Sequence, residues 1–175
     1  MILDLSGLKL KSQVSVDKRV GKGLTLIELV VAVAVLAVLA SAVFPVARMT
    51  VKRTKEMELR NNLRIIRKAI DDYKRAYDEK RIPQRLGASG YPPSLEKLVE
   101  GEYDIKSPVP GKKIYFLRRI PRDPFNNDYT LTPAETWGKR SYSSDFDNPR
   151  EGEDVFDVYS LSEETAIDGT KYKDW

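Results

Sequence analysis

"GKGLTLIELVVAVAVLAVLASAVFPVARM", residues 21–49, decides how the rest of the chain is read. From Leu24 to Ala47 only Thr25, Glu28 and Ser41 are polar. About 20 apolar residues cross a bilayer core, so the length predicts a single membrane-spanning helix. Five bases precede it (Lys9, Lys11, Lys18, Arg19, Lys22), which favours a cytoplasmic N-terminus. Arg48, Lys52 and Arg53 follow it, but a long downstream domain translocates largely regardless of nearby charge. Glu28 is the anomaly. A carboxylate at the bilayer centre costs roughly 2.5–3.5 kcal/mol, and less near the interface, where one turn into the segment places it. Three readings compete for the stretch. A cleaved signal peptide would use Ala40-Ser41-Ala42, although the apolar run continues past it. A plain single-pass anchor explains the length and leaves Glu28 without a purpose. In the third reading Glu28 meets a cation.

The remaining composition narrows the function classes. Among 175 residues there is no cysteine, so neither disulfides nor thiolate metal sites are possible. There is no histidine, which removes the commonest general base and zinc ligand. No Gly-rich phosphate loop or nucleophile elbow is present, and the chain reads as a non-enzyme. Residues 1–23 carry five bases against two acids, a net of +3 that leaves +1 for the remainder of a chain of net charge +4. Residues 48–85 hold thirteen Lys/Arg against six Asp/Glu, and residues 141–175 hold three against ten. A basic stretch followed by an acidic end favours contact between copies of the chain over nucleic-acid binding.

Lys22-Gly23-Leu24-Thr25-Leu26-Ile27-Glu28 resembles the N-terminal signal of type IV pilins and their pseudopilin relatives, with Leu24 where phenylalanine is usual. The resemblance implies that a prepilin peptidase cuts between Gly23 and Leu24 and methylates the new amine. Glu28 then becomes the fifth residue of the cut chain, and Pro45 stands where the family keeps a helix-distorting proline. Gly23 and Leu24 are thus the expected processing residues, and Glu28 and Pro45 the expected assembly residues. The ammonium created by the cut can meet Glu28 of a neighbouring subunit, and in an apolar bundle each stabilises the other. Pro45 removes one backbone donor, so a kink or local melting is expected there, or the end of the membrane helix.

Beyond Pro45, Leu59, Leu63, Ile66, Ile70, Tyr73 and Tyr77 recur at helical spacing with charged residues between them. The stripe reads as one side of a small core in preference to a coiled coil. Helix from Leu24 to Arg81 would measure roughly 85 Å at about 1.5 Å per residue, and Pro83, Gly87 and Gly90 should end it. Ser94 should cap a short helix with Leu95 and Leu98 inward and Gly101 at its end. Tyr129–Thr132 and Val155–Ser160 read as strands, Trp137-Gly138 as loop, and Trp175 as tucked against the sheet. The expected organisation is a cytoplasmic leader (1–23), a transmembrane and filament-core helix (24–47), an amphipathic helix (48–82) and a globular periplasmic region (83–175). The fold class is α+β, a long helix packed on a small antiparallel sheet.

"YPPSLEKLVEG", "IPRDPFNNDY" and "DVFDVYSLS" occur in the order seen in the major pseudopilin of type II secretion systems. That resemblance covers most of the chain from Lys22 onward. It implies a single-pass inner-membrane precursor that assembles into a helical homopolymer, the periplasmic pseudopilus, to drive protein export. Its implied partners are prepilin peptidase, an inner-membrane assembly platform, minor pseudopilins and the membrane itself. A surface type IV pilin, and an anchored periplasmic binding domain that never polymerises, are the alternatives. The resemblance also implies calcium in the loop after the last strand, with Leu161, Ser160 or Ser162, Asp168 and Asp174 as ligands. Calcium takes six to eight hard oxygens. The family's glycine after serine-leucine is missing here, and Lys171 and Lys173 adjoin the loop. A solvated acidic tail held by Trp175 is the competing reading. The acidic run Asp145–Asp154 lacks EF-hand spacing and reads as a solvated loop or as a partner for the basic helix of an adjacent subunit.

Overall fold

The structure, a computed structural model, describes residues 23–175 apart from the side chains of residues 42–46. The expected leader through Lys22 lies outside the described residues, as does the Pro45 side chain, while helix α1 continues through that position and does not end there. The chain divides into two compact units, Met1–Phe44 and Pro45–Trp175. Helix α1 (Leu26–Asp78) belongs to both, and α2 is Leu95–Glu100. Two antiparallel pairs come next: β1 (Glu102–Tyr103) with β2 (Lys113–Ile114), and β3 (Trp137–Arg140) with β4 (Asp157–Ser160). Short 3-10 turns occupy Pro133–Thr136 and Tyr172–Asp174. This is the α+β, pilin-like arrangement of a long N-terminal helix with small antiparallel sheets.

In the first unit the described side chains from Leu24 to Ser41 are all exposed. Leu26 is 81% exposed and Val38 70%, so this surface is apolar on every side and open. Among the described residues no helix is long and apolar enough to cross a membrane. The five residues 42–46 interrupt the described part of the apolar segment.

In the second unit the helical stripe does what its spacing predicts. Leu59, Leu63, Ile66, Ile70 and Tyr73 are buried, with Ala69 and Ala76 on the same side. They form one core with Ile82, Leu95, Leu98, Trp137, Val155, Val158 and Tyr172. The helix ends earlier than Arg81, and by local geometry. Lys80 adopts φ 54°, and the amides of Lys80 and Arg81 donate to Tyr77 O and Ala76 O. That is the left-handed cap which satisfies the last free carbonyls, here without a glycine. The freed Arg81 guanidinium then pairs with Asp104 at 2.7 Å.

Helix α2 is framed by Ser94 and Gly101 as expected, but Ser94 makes no side-chain cap bond. Complete burial of Leu95 and Leu98 fixes the helix instead. Tyr129–Thr132 is not a strand. Asp128 Oδ1 accepts from the Thr130 amide at 2.9 Å and from its hydroxyl at 2.6 Å, and Arg122 binds the Asp128 and Leu131 carbonyls. These bonds wind the segment into turns, and the Thr132–Glu135 capping box starts the following 3-10 turn.

The strand lies where Trp137-Gly138 read as loop. Trp137 is 1% exposed and donates from Nε1 to Pro121 O at 2.8 Å, so burial holds it in the sheet. Gly138 faces Tyr159 across the ladder, and a Cβ there would run into that ring. β4 is shorter than Val155–Ser160 because the Val155 amide donates to Pro92 O. Trp175 rests on α1 through the Arg60 guanidinium, 4.2 Å from its ring centre, and edge-on to Tyr172.

Ile66 is fully buried at the centre of the stripe. Ile66→Ala should cost about 2–5 kcal/mol through lost burial and a residual cavity. Urea unfolding of the detergent-solubilised chain checks this, with the midpoint falling and the slope unchanged.

Candidate functional site

Two places were marked by the sequence, the start of α1 and the loop after β4. At the first, Gly23, Leu24 and Thr25 are non-helical and exposed. The helix starts at Leu26 because Thr25 caps it. Thr25 Oγ1 accepts from the Glu28 amide at 3.3 Å, and Thr25 O accepts from the Leu29 amide at 3.1 Å. Thr25 was missed as a functional position, although the Thr-x-x-Glu spacing is the sequence signature of such a cap. Glu28 thereby falls in the first turn, where the positive end of the helix dipole favours a carboxylate. Among the described residues the Glu28 carboxylate has no hydrogen-bond or ion-pair partner. The expected cleavage residues and Glu28 are therefore brought together in one exposed turn, with the Pro45 side chain outside the described residues.

The loop after β4 is closed by contacts of its own. The Ala166 amide donates to Thr170 O at 2.7 Å and the Gly169 amide to Ala166 O at 3.1 Å. Gly169 at φ 89° supplies the left-handed residue that this tight turn needs. Asp168 Oδ1 accepts from the Thr170 amide (3.0 Å) and hydroxyl (2.6 Å), while Oδ2 pairs with Arg60 at 3.1 Å. The Thr170 bonds foremost, with Arg60 adding to them, hold the Asp168 carboxyl below its ordinary value. Ser160 is buried and donates to Asp123 Oδ2 at 2.5 Å, while accepting from the Ser162 amide. Ser162 Oγ in turn accepts from the Glu164 amide. Leu161 and Asp174 are exposed.

A calcium shell needs free oxygens that converge. Here both Asp168 oxygens and the Ser160 hydroxyl are committed elsewhere, with a guanidinium standing on Asp168. Among the described residues no three acidic side chains group closely enough to hold a metal. Of the expected ligand set Leu161, Ser162, Asp168 and Asp174, Asp168 thus has both carboxylate oxygens engaged, one by Thr170 and one by Arg60.

Two carboxylates that sequence reasoning passed over organise this end of the molecule. Asp123, in the expected turn "IPRDPF", is 2% exposed. It joins Ser160 to the Phe125 amide, and its own amide donates to Thr136 Oγ1. Burial pushes its carboxyl up despite these bonds. Glu56 Oε1 accepts from the Tyr172 hydroxyl and the Ile167 amide, both at 2.8 Å. Burial, and then the bond to Glu56, raises the Tyr172 hydroxyl well above its ordinary value. The only available signal for Glu56 was an acid beside the apolar stripe; its partners lie more than a hundred residues away.

The Asp168 pKa gives the loop a pH dependence of known sign. A carboxylate lowered in the fold contributes stability above its ordinary value of 3.8 and loses it as pH falls through the lowered value. Amide hydrogen exchange in residues 161–171 should therefore speed up as pH falls below about 4, after correction for intrinsic rates, and Asp168→Asn should remove that part of the dependence.

Comparison with known proteins bears on the first of these places. The prokaryotic N-terminal methylation motif matches residues 18–44. The type II secretion system core protein G of Pseudomonas aeruginosa is 29% identical over 148 residues, covering 83% of this chain and 85% of that protein. The proteins of the same name from Aeromonas hydrophila and Klebsiella pneumoniae are 26% and 29% identical, over 70% and 63% of this chain and 80% and 73% of theirs. No solved structure matches the chain.

Proposed function

We propose that this pseudopilin-like chain is a structural subunit of a type II secretion pseudopilus, processed after Gly23 and assembled through its N-terminal helix to drive protein export. The single observation that carries the reading is the exposed turn in which Gly23-Leu24 precedes a capped helix start bearing Glu28, whose carboxylate has no partner among the described residues. The similarity to core protein G over most of the chain supports it. So does the continuing helix, whose described apolar side chains are open on every side up to Ser41. Such a surface needs lipid or other copies of the same helix.

On this reading the leader holds the N-terminus in the cytoplasm, and the globular unit lies in the periplasm. Prepilin peptidase reaches Gly23-Leu24 because the cap at Thr25 keeps those residues out of the helix. The cut leaves an ammonium about one turn from Glu28. In the membrane Glu28 is tolerable near the headgroups. In the filament the ammonium of one subunit meets Glu28 of the next, and an apolar surrounding makes that pair selective for register. The platform, the minor pseudopilins and further copies of the chain are the partners. Its work is mechanical, and no side chain is assigned to catalysis.

Mass spectrometry of the mature protein tests the processing. An N-methylated Leu24 is expected; a chain that begins at Met1, or at Val43 after ordinary signal cleavage, would sink the filament reading. Glu28→Gln should leave membrane insertion intact and lower filament yield by about tenfold or more, because one partner of a desolvated pair is lost. Unchanged yield would remove the role given to Glu28.

A further inference from the structure

We propose that helix α1 itself clamps the C-terminal loop, so that a cationic and carboxylate latch on the helix makes this chain's loop independent of calcium. Lys52, Glu56 and Arg60, one turn apart, and Arg67 further along address the segment from Thr165 to Trp175. Lys52 Nζ donates to Thr165 O at 2.5 Å. Glu56 Oε1 receives the Ile167 amide and the Tyr172 hydroxyl. Arg60 pairs with Asp168 and lies over the Trp175 ring. Arg67 donates to the Trp175 backbone oxygen at 2.7 Å and holds Asp157 of β4 at 2.7 Å.

The division of labour comes from burial. Glu56 is 9% exposed and satisfies two donors that would otherwise be left without partners. Leaving a buried donor unsatisfied costs more than a typical hydrogen bond gains. The Arg60–Asp168 pair is about half exposed, and such pairs alone contribute little. Its importance here is positional. The guanidinium occupies an Asp168 oxygen that a metal would need, and Lys52 adds a second positive charge to the loop at the Thr165 carbonyl. Both cations also repel a divalent ion from the loop. Positive charge delivered by the helix takes the place that a calcium ion has in the arrangement the sequence resembles.

The helix spacing that makes this possible is simple. Residues 52, 56 and 60 are separated by four, so they form one row on α1. Leu59 and Leu63, buried beside that row, fix its direction toward the loop.

The test uses the full chain in detergent, unassembled, so that filament formation does not enter the readout. Thermal melting is recorded after exhaustive chelation and again with millimolar calcium. A ligand that binds only the folded state raises the melting temperature by mass action. The same melting curve in both conditions is expected; an upward shift with calcium, reversed by chelator, would overturn the proposal. A second arm reads the loop directly, by limited proteolysis of residues 161–171. The double variant Lys52→Met, Arg60→Met should be nicked about fivefold to tenfold faster, and Glu56→Leu faster still, with or without calcium. A double variant as resistant as the parent chain would show that the helix does not hold the loop.

Discussion

Everything in the globular unit rests on the burial of one helical stripe. Among the described residues neither sheet has more than two strands, and isolated two-stranded pairs are at best marginal in water. Leu59, Leu63, Ile66, Ile70 and Tyr73 supply the apolar surface that these fragments lack. Trp137, Val158, Leu95 and Leu98 join that stripe in one buried core. Removing the helix would leave two hairpin-like pairs and a short α2 without a core. The same helix that is read as the assembly element is therefore also the folding template of the domain it carries.

Polar contacts then decide how the loops lie on this core. Asp123 stitches the proline-rich segment to β4 through Ser160, and Trp137 fastens it again through Pro121 O. On the other side Glu56 draws in Ile167 and Tyr172, which stacks on Phe125 with ring centres 4.0 Å apart. The two carboxylates are thus linked through one aromatic stack, Asp123 accepting from the Phe125 amide and Glu56 from the Tyr172 hydroxyl. Each satisfies two donors at once, which offsets the cost of burying an acid side chain. The loop after β4 is ordered by these means.

Much of this was legible in the sequence where the signal is periodic. The stripe at intervals of three and four marked the buried face correctly, and Leu95 and Leu98 came from the same rule. The strand at Val155–Ser160 was found with its start displaced, because the Val155 amide is taken by Pro92. Tyr129–Thr132 failed for a chemical reason. Its aromatic and β-branched residues suit a strand, but Asp128 and Arg122 offer the backbone nearer partners than any neighbouring strand does. β3 was missed because Trp137-Gly138 looks like turn material. Only the presence of Tyr159 opposite shows why a glycine belongs there.

The sequence by itself determined the features that depend on neighbours along the chain. It set the apolar segment from Leu24, the acid four residues later, the helix direction of the stripe and the absence of histidine and cysteine. Apart from composition, these rest on spacing within a few turns, which a linear reading captures. Tertiary structure decided which polar side chains matter: Glu56 for Tyr172, 116 residues away, Arg60 for Asp168, 108 away, and Ser160 for Asp123, 37 away. No local pattern reports such pairs, because their energy depends on burial and direction that exist only once the helix stripe has packed.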